Sequence, residues 1–225
     1  MNLRPVSRRR AAADSAGFTL VEVLVAIMVM AIMAVMAWQG VDGIVRTRDA
    51  TQSRLEKTLR LNTVIAQWDQ DLAAIQNTSV VPQALSCDGA TVRMTRRTPT
   101  GLQIVAWSLR ADGDKAAWVR WASPAVITTG ALQENWLRSL QLQDNEPGTI
   151  RALTGLSAWQ VYFYQGNAWA NCQSTGDVAA APVPASGASA VAVRTALPKG
   201  VRVVLSFAPG SGVGGDLTRD TLVGP

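Results

Sequence analysis

A single carboxylate lies inside the most apolar stretch of the chain. Residues 18–38 are apolar except for Thr19 and Glu22. A bilayer core takes about 20 apolar residues in a helix, and a carboxylate inside it costs at least ~2.5 kcal/mol. A charge kept at that cost is expected to have a function. The alternative is a plain signal anchor in which Glu22 is incidental.

The junction that looks suited to proteolytic processing lies before this apolar run. Four arginines and one aspartate make the leader basic, and the leader ends at Gly17. An ordinary signal peptide has an apolar region of about 7–15 residues, with its cleavage site on the far side. Cleavage after Gly17 would instead remove residues 1–17 and leave the apolar helix on the mature protein.

The remaining chemistry-bearing residues do not indicate catalysis. The chain has no histidine, which excludes histidine-dependent triads, zinc ligands and general bases. Three close acidic pairs remain: Asp69 with Asp71, Asp112 with Asp114, and Asp144 with Glu146. Residues two apart on a helix do not face each other, and Asp-Gly-Asp is typical of a turn that falls short of the 6–8 ligands calcium takes. We expect no catalytic residue, no metal and no cofactor. A membrane-anchored enzyme or ligand-binding domain is the alternative.

The positive charge is concentrated next to the membrane segment. The chain carries a net charge of +5, most of it in the leader, so the chain from Phe18 onward is close to neutral. A nucleic-acid-binding domain would keep a basic patch on its folded part. The distribution follows the positive-inside rule, with the leader cytoplasmic and the C-terminal domain translocated. We therefore expect a membrane protein that does not bind nucleic acid.

Two cysteines, Cys87 and Cys172, lie in the part expected to be translocated. Disulfides form and persist outside the cytoplasm, and two cysteines allow one pairing. A Cys87–Cys172 disulfide is therefore expected. Two independent buried thiols are the alternative.

The elements that position these residues follow from hydrophobic periodicity. One long helix is predicted from Phe18 to about Asn77–Thr78, with a soft joint at Gly40 and Gly43 and an amphipathic second half. Most tryptophans are expected in the core, although an aromatic cluster could also form a ligand platform. Strands are predicted at residues 90–97, 102–109, 116–121, 136–142, 157–164, 168–172, 201–207 and 217–223, with an irregular loop at 173–190. A long helix on a mostly antiparallel sheet is an α+β fold.

The N-terminal pattern resembles the class III signal of type IV pilins and type II secretion pseudopilins. In that family a prepilin peptidase cuts after a glycine, the new N-terminal residue is usually a phenylalanine that becomes N-methylated, and a glutamate follows at the fifth mature position. Gly17, Phe18 and Glu22 match these positions. The resemblance implies cleavage between Gly17 and Phe18, N-methylation of Phe18, and a role for Glu22 in assembly.

Later segments resemble the general secretion pathway protein J family of minor pseudopilins. They are Ala37-Trp38-Gln39-Gly40-Val41-Asp42, the acidic stretch Trp68-Asp69-Gln70-Asp71-Leu72, the strand Val161-Tyr162-Phe163-Tyr164 before Trp169, and the turn Leu197-Pro198-Lys199-Gly200-Val201. The 173–190 loop looks expanded relative to that family. The cysteine pair has no assigned place in its pattern.

That family resemblance implies a pilin-like fold and a non-catalytic role at the tip of a periplasmic pseudopilus. The tip complex starts assembly and supports export of folded proteins across the outer membrane. The implied partners are minor pseudopilins I and K, other pseudopilins, the inner-membrane assembly platform and prepilin peptidase. The alternative is a minor pilin of a type IV pilus, acting in pilus assembly, adhesion or DNA uptake.

The implied organisation is a cleaved leader at 1–17, a transmembrane half-helix at 18–38, an amphipathic half-helix at 39–78 and a periplasmic β-rich domain at 79–225. The protein would be a single-pass inner-membrane protein of a Gram-negative bacterium, with its C-terminal domain in the periplasm.

Overall fold

The computed structural model describes residues 17–173 and 196–223. Its first element is helix α1, Leu20–Ala73. By contacts the chain divides into two compact units, residues 1–53 and 54–225. The first unit contains the N-terminal part of α1. The second contains the rest of α1, a β-sheet and a second helix, which is the α+β architecture of pilin-like proteins.

The second unit is built on one antiparallel sheet. Its main path runs β1-β2-β3-β4-β5-β7-β8, and β6 pairs with β5 beside that path. The elements in chain order are β1 Leu85–Cys87, β2 Thr91–Thr98, β3 Gly101–Asp112, β4 Lys115–Ala122, α2 Thr129–Ser139, β5 Thr149–Gln165, β6 Ala168–Asn171, β7 Gly200–Phe207 and β8 Asp216–Leu222.

The main core lies between the C-terminal part of α1 and one face of the sheet. Val64, Trp68 and Leu72 recur at four-residue steps and present one face of the helix, as periodicity predicts. Buried strand residues meet that face, among them Val92, Met94, Val105, Trp107, Trp118, Leu156, Val161, Phe163, Val201, Val203 and Leu205. The C-terminal part of the predicted amphipathic half-helix, within residues 54–73, therefore packs on the sheet.

A second core lies on the opposite face of β3 and β4. Leu132 and Trp136 of α2 pack there against Ile104, Ala106 and Trp121. The predicted strand at 136–142 is wrong, because Trp136 belongs to α2. The buried positions Leu132, Asn135, Trp136 and Ser139 follow helical spacing, and this pattern begins before the segment read as a strand.

The other boundaries differ from the predictions in small ways. Helix α1 ends at Ala73, before the predicted Asn77–Thr78, because Ile75 has left the helix to bridge Arg96 of β2. Strand β5 begins at Thr149, well before the predicted 157. The early part of β5 does not alternate regularly, because it is interrupted at Gly155, which has φ +80°. At this position the register with β4 skips from Leu156 to Thr154. Strand β1 was not predicted, and residues 174–190 of the predicted loop lie outside the described residues.

Candidate functional site

The junction before α1 is accessible in the described chain. Residues 17–19 precede the helix, and Phe18 is 82% exposed. A Cβ added at Gly17 would meet no other atom within 4 Å. The fold itself therefore does not demand glycine at this position, so any requirement for a small residue would come from an enzyme that acts on it.

Thr19 begins the helix as a capping residue. The Glu22 N–H donates to the Thr19 carbonyl at 3.1 Å and lies 3.4 Å from Thr19 Oγ1. Thr19-Leu20-Val21-Glu22 has the Ser/Thr-x-x-Glu spacing of a capping box, which satisfies donors left free at a helix start. Glu22 also places a negative charge in the first turn, where the helix dipole favours it. Local structure thus accounts for where the helix starts, and the Glu22 side chain lies exposed at that end.

The N-terminal part of α1 presents an apolar surface with no partner in the described chain. Its most apolar stretch has a mean hydropathy of 2.7 and no buried residue. Leu20, Leu24, Ile27, Met28, Met30, Met33, Met36 and Trp38 are each more than 60% exposed. By length and composition this helix can cross a membrane, which fits a single-pass anchor followed by a C-terminal globular domain.

A second constellation, around Asp71 of α1, was not predicted. The carboxylate is fully buried and accepts hydrogen bonds from both arginines that face it. Arg120 donates twice, from Nε at 2.7 Å and Nη2 at 2.9 Å, and Arg96 Nη1 donates at 2.5 Å. Trp107 Nε1 and Gln67 Nε2 add bonds at 2.9 and 3.0 Å. We call Asp71, Arg96, Arg120, Trp107 and Gln67 the Asp71 cluster.

The Asp71 cluster fixes α1 against three strands. Arg96 lies on β2, Trp107 on β3 and Arg120 on β4, and Trp107 is directly opposite Arg120 in the β3–β4 register. A buried charge is tolerated only when it is paired and hydrogen-bonded, and this carboxylate meets both conditions. One sequence signal could have found it: Arg96 and Arg120 are in step with the inward-facing Met94 and Trp118.

The neighbouring Asp69 makes separate contacts with β8. Arg219 Nη2 donates to Asp69 at 2.7 Å, and Thr221 Oγ1 donates at 2.6 Å. Asp69 and Asp71 thus point to different strands, in agreement with the prediction that they do not form an acid–base pair. In the other acidic pairs, Asp112 bonds Arg151, Asp144 bonds Arg110 and Glu146 bonds Arg138.

Cys87 and Cys172 are bonded to each other, with their Cα atoms 5.8 Å apart. The bond links β1 to the residue after β6. Next to it, Asp88 accepts from Arg93 Nη1 at 2.6 Å, and Arg93 also donates to the Ser139 carbonyl of α2. Partial burial alone would raise the pKa of the Asp88 carboxyl, but hydrogen bonds from Arg93 and from two backbone N–H groups outweigh it and hold that pKa below its ordinary value.

The tryptophans contribute mainly to packing. Trp68, Trp107 and Trp118 are fully buried, with ring centroids 4.3 to 5.6 Å apart. Trp169 differs, since it is partly exposed beside Tyr164 and carries the Arg202 guanidinium 4.3 Å from its ring centroid. The prediction that most tryptophans lie in the core is confirmed for Trp68, Trp107, Trp118, Trp121 and Trp136.

Comparison with known families finds a match for the N-terminal segment. Residues 13–38 match the prokaryotic N-terminal methylation motif, which covers Gly17, Phe18 and Glu22. A search of curated proteins finds no match. The motif and the exposed apolar helix that follows it support a protein of the type IV pilin-like group, a pilin or pseudopilin that prepilin peptidase processes and that associates with other pilins in a membrane assembly.

Proposed function

We propose that the chain is a minor pseudopilin of the type II secretion system, acting in the tip complex that starts pseudopilus assembly and supports export of folded proteins across the outer membrane. The observation that carries the proposal is the methylation motif placed before an exposed apolar helix. Cleavage after Gly17 would leave the apolar helix on the product, with Phe18 at its start and Glu22 in its first turn.

The assignment to a minor pseudopilin of the J type is supported by three segments in the folded unit. Asp69 and Asp71 of the acidic stretch tie α1 to β8 and to β2–β4. The Leu-Pro-Lys-Gly-Val turn brings Gly200 beside Tyr164 of the Tyr-rich strand, where a Cβ on Gly200 would lie 3.5 Å from Trp169 and 3.7 Å from Tyr164. The segments that carry the resemblance thus have mutually consistent structural roles.

We propose a structural role without catalysis or cofactor. The carboxylates of Asp69, Asp71 and Asp112 are each held by arginines, as are those of Asp144 and Glu146. An acid–base pair needs two groups that converge on one substrate position, whereas Asp69 and Asp71 turn to different strands. The partners we propose are minor pseudopilins I and K, other pseudopilins and the inner-membrane assembly platform.

The test is the replacement of Glu22 in the bacterium that carries the gene. The Glu22→Ala protein should insert in the inner membrane at least as well as wild type, because removal of the charge lowers the transfer cost. Secretion should fall toward that of a strain lacking the chain, since the carboxylate would no longer pair with the N-terminal amine of an adjacent subunit. Asp49→Asn is the control, an exposed carboxylate on the same helix outside the apolar run. Full secretion by Glu22→Ala would overturn the assignment.

A minor pilin of a type IV pilus is the second candidate, supported by the same methylation motif. The same strains distinguish the two. Unchanged secretion with loss of pili, twitching or DNA uptake would favour the pilus. Neighbouring genes for an assembly ATPase, a secretin and pseudopilins I and K would favour secretion.

A further inference from the structure

Strand β8 forms one edge of the sheet. It is last in the strand order, and no strand pairs with its far side within residues 17–173 and 196–223. Its register with β7 runs over seven residue pairs without a bulge. The opposite edge, β1, has only three residues and ends at the disulfide-bonded Cys87. Of the two strands that end the main path, β8 is therefore the longer and more regular.

The hydrogen-bonding groups that face away from β7 can be assigned. At the ends of the β7–β8 ladder, Val223 N–H donates to the Lys199 carbonyl and Phe207 N–H donates to the Gly215 carbonyl. Hydrogen-bonded residues alternate along an antiparallel strand, so residues 217, 219 and 221 bond β7. The N–H and C=O groups of Asp216, Thr218, Asp220 and Leu222 then point to the open edge.

The same alternation divides the side chains of β8. Arg219 and Thr221 face α1, where both bond Asp69, so the strand is held firmly from its inner side. The even-numbered side chains lie on the opposite face and are all exposed. Asp220 there accepts a bidentate bond from Arg202 at 2.6 Å. That bond lowers the pKa of the Asp220 carboxyl and holds β8 to β7 on its outer face.

Natural proteins protect regular edge strands with proline, bulges or charges, because unpaired edges recruit other strands. β8 has no proline and no bulge, but its charges oppose the three symmetric pairings in which two copies of the strand would overlap most. If two copies of β8 paired antiparallel about a two-fold axis at residue 219, Arg219 of one copy would lie opposite Arg219 of the other. An axis at residue 218 would place Asp216 of one copy opposite Asp220 of the other, and an axis at residue 220 would place the two Asp220 side chains opposite each other. Like charges directly opposite are destabilising.

We propose that β8 accepts an extended strand from a different polypeptide, which adds to the sheet edge by backbone hydrogen bonding. The strand carries a lysine or arginine opposite Asp216, whose carboxylate makes no ion pair among the described residues, and an apolar residue opposite Leu222, which is 81% exposed. Backbone bonds along an edge supply affinity in this mode, and the alternating side chains supply selectivity. The inference goes beyond the proposed function, and it holds whether the chain belongs to a secretion pseudopilus or to a type IV pilus.

The test uses the full chain in its native membrane. A photo-cross-linking amino acid at Leu222 is combined with Thr218→Pro or with the matched control Thr218→Val. Proline removes the outward N–H of residue 218 without breaking the β7 ladder, as edge strands permit, whereas valine keeps that N–H. We expect a cross-link to a different polypeptide, mapped to an extended segment with a basic residue. Thr218→Pro should cut its yield by about tenfold, and Thr218→Val should leave it within about twofold.

A second variant keeps the test independent of the effect of proline on folding. Asp216→Lys should also lower the cross-link yield several-fold while the unfolding midpoint of the protein stays at the wild-type value, because Asp216 is exposed. A cross-link to a second copy, a cross-link within the same chain, or no cross-link would overturn the proposal. So would a yield that neither Thr218→Pro nor Asp216→Lys changes. If secretion proves unaffected by Glu22→Ala but the strand contact is found, only the proposed function fails.

Discussion

At the scale of single residues, Gly17 and Asp71 illustrate opposite constraints. Gly17 makes no contact that forbids a side chain, so the fold does not require glycine there, whereas the cleavage expected after it would. Asp71 makes five hydrogen bonds and is fully buried, so its role is explained by the fold. The first residue could be recognised from sequence because its motif is local. The second could not, because its partners come from three strands that only the folded sheet brings together.

We predict that Gly17→Glu blocks removal of the leader. A bulky charged residue next to the scissile bond would not fit an active site that accepts glycine, while the fold around Gly17 would tolerate it. Mass measurement of the protein from membranes should show residues 1–17 retained in Gly17→Glu and removed in wild type. Gly40→Glu, at another glycine whose Cβ would meet nothing within 4 Å, is the control and should be processed. A wild-type N-terminus at Met1, or within the apolar run, would contradict the prediction.

Asp71→Asn is predicted to destabilise the folded unit by ~3–5 kcal/mol, because it leaves Arg96 and Arg120 without a buried counter-charge. Asp69→Asn is the matched control. Its partner Arg219 is half exposed, and the change should cost about 1 kcal/mol or less. Denaturant unfolding of the full chain in detergent micelles, followed by tryptophan fluorescence, measures both. Similar losses for the two variants would show that the Asp71 cluster is not a buried charge site of the kind described.

At the scale of elements, the parts that were predicted are those whose pattern is complete within a short window. Strands β2, β3, β4 and β7 are short runs rich in apolar residues and bounded by turn residues, and the long apolar run marks the start of α1. Strand β5 was only partly recognised, because the bulge at Gly155 interrupts its period of two. Helix α2 was mistaken for a strand because Trp136 and Leu142 suit either structure, and only packing on Ile104 and Trp121 decides between them.

The disulfide is predicted to contribute about 4 kcal/mol to the stability of the folded unit. It closes a loop across a sequence separation of 85, and in the chain-entropy model most of its effect lies in the unfolded chain. The double variant Cys87→Ser with Cys172→Ser should lose that amount in denaturant unfolding. Reduction of wild type should reproduce the loss, and the same reductant should not affect the double variant. Equal stability of oxidised wild type and double variant would contradict the prediction.

At the scale of the whole molecule, the two compact units differ in what stabilises them. In the first, the described residues of α1 are almost all exposed, so this part has no core of its own. In the second, Val64, Trp68 and Leu72 of the same helix are buried in the sheet core. A single continuous helix thus belongs to two units with different requirements: an apolar environment for one and a packed sheet for the other.

We predict that a fragment spanning Arg46 to Pro225 folds as a soluble protein. It keeps the buried face of α1, where each large side chain such as Trp68 or Leu72 contributes ~1.5–3 kcal/mol by burial, together with the Asp71 cluster. A fragment that begins at Ala74 lacks the buried face of α1 and the Asp71 carboxylate, and it should fail to fold. Cooperative thermal unfolding of the first fragment, and its absence in the second, would be the direct measurement.

Under the proposed function, the folded fragment should also co-purify with the soluble domains of pseudopilins I and K. A folded fragment that binds neither, together with pilus defects in cells, would assign the protein to a type IV pilus instead. A fragment from Arg46 that does not fold would show that the second unit depends on the apolar half of α1.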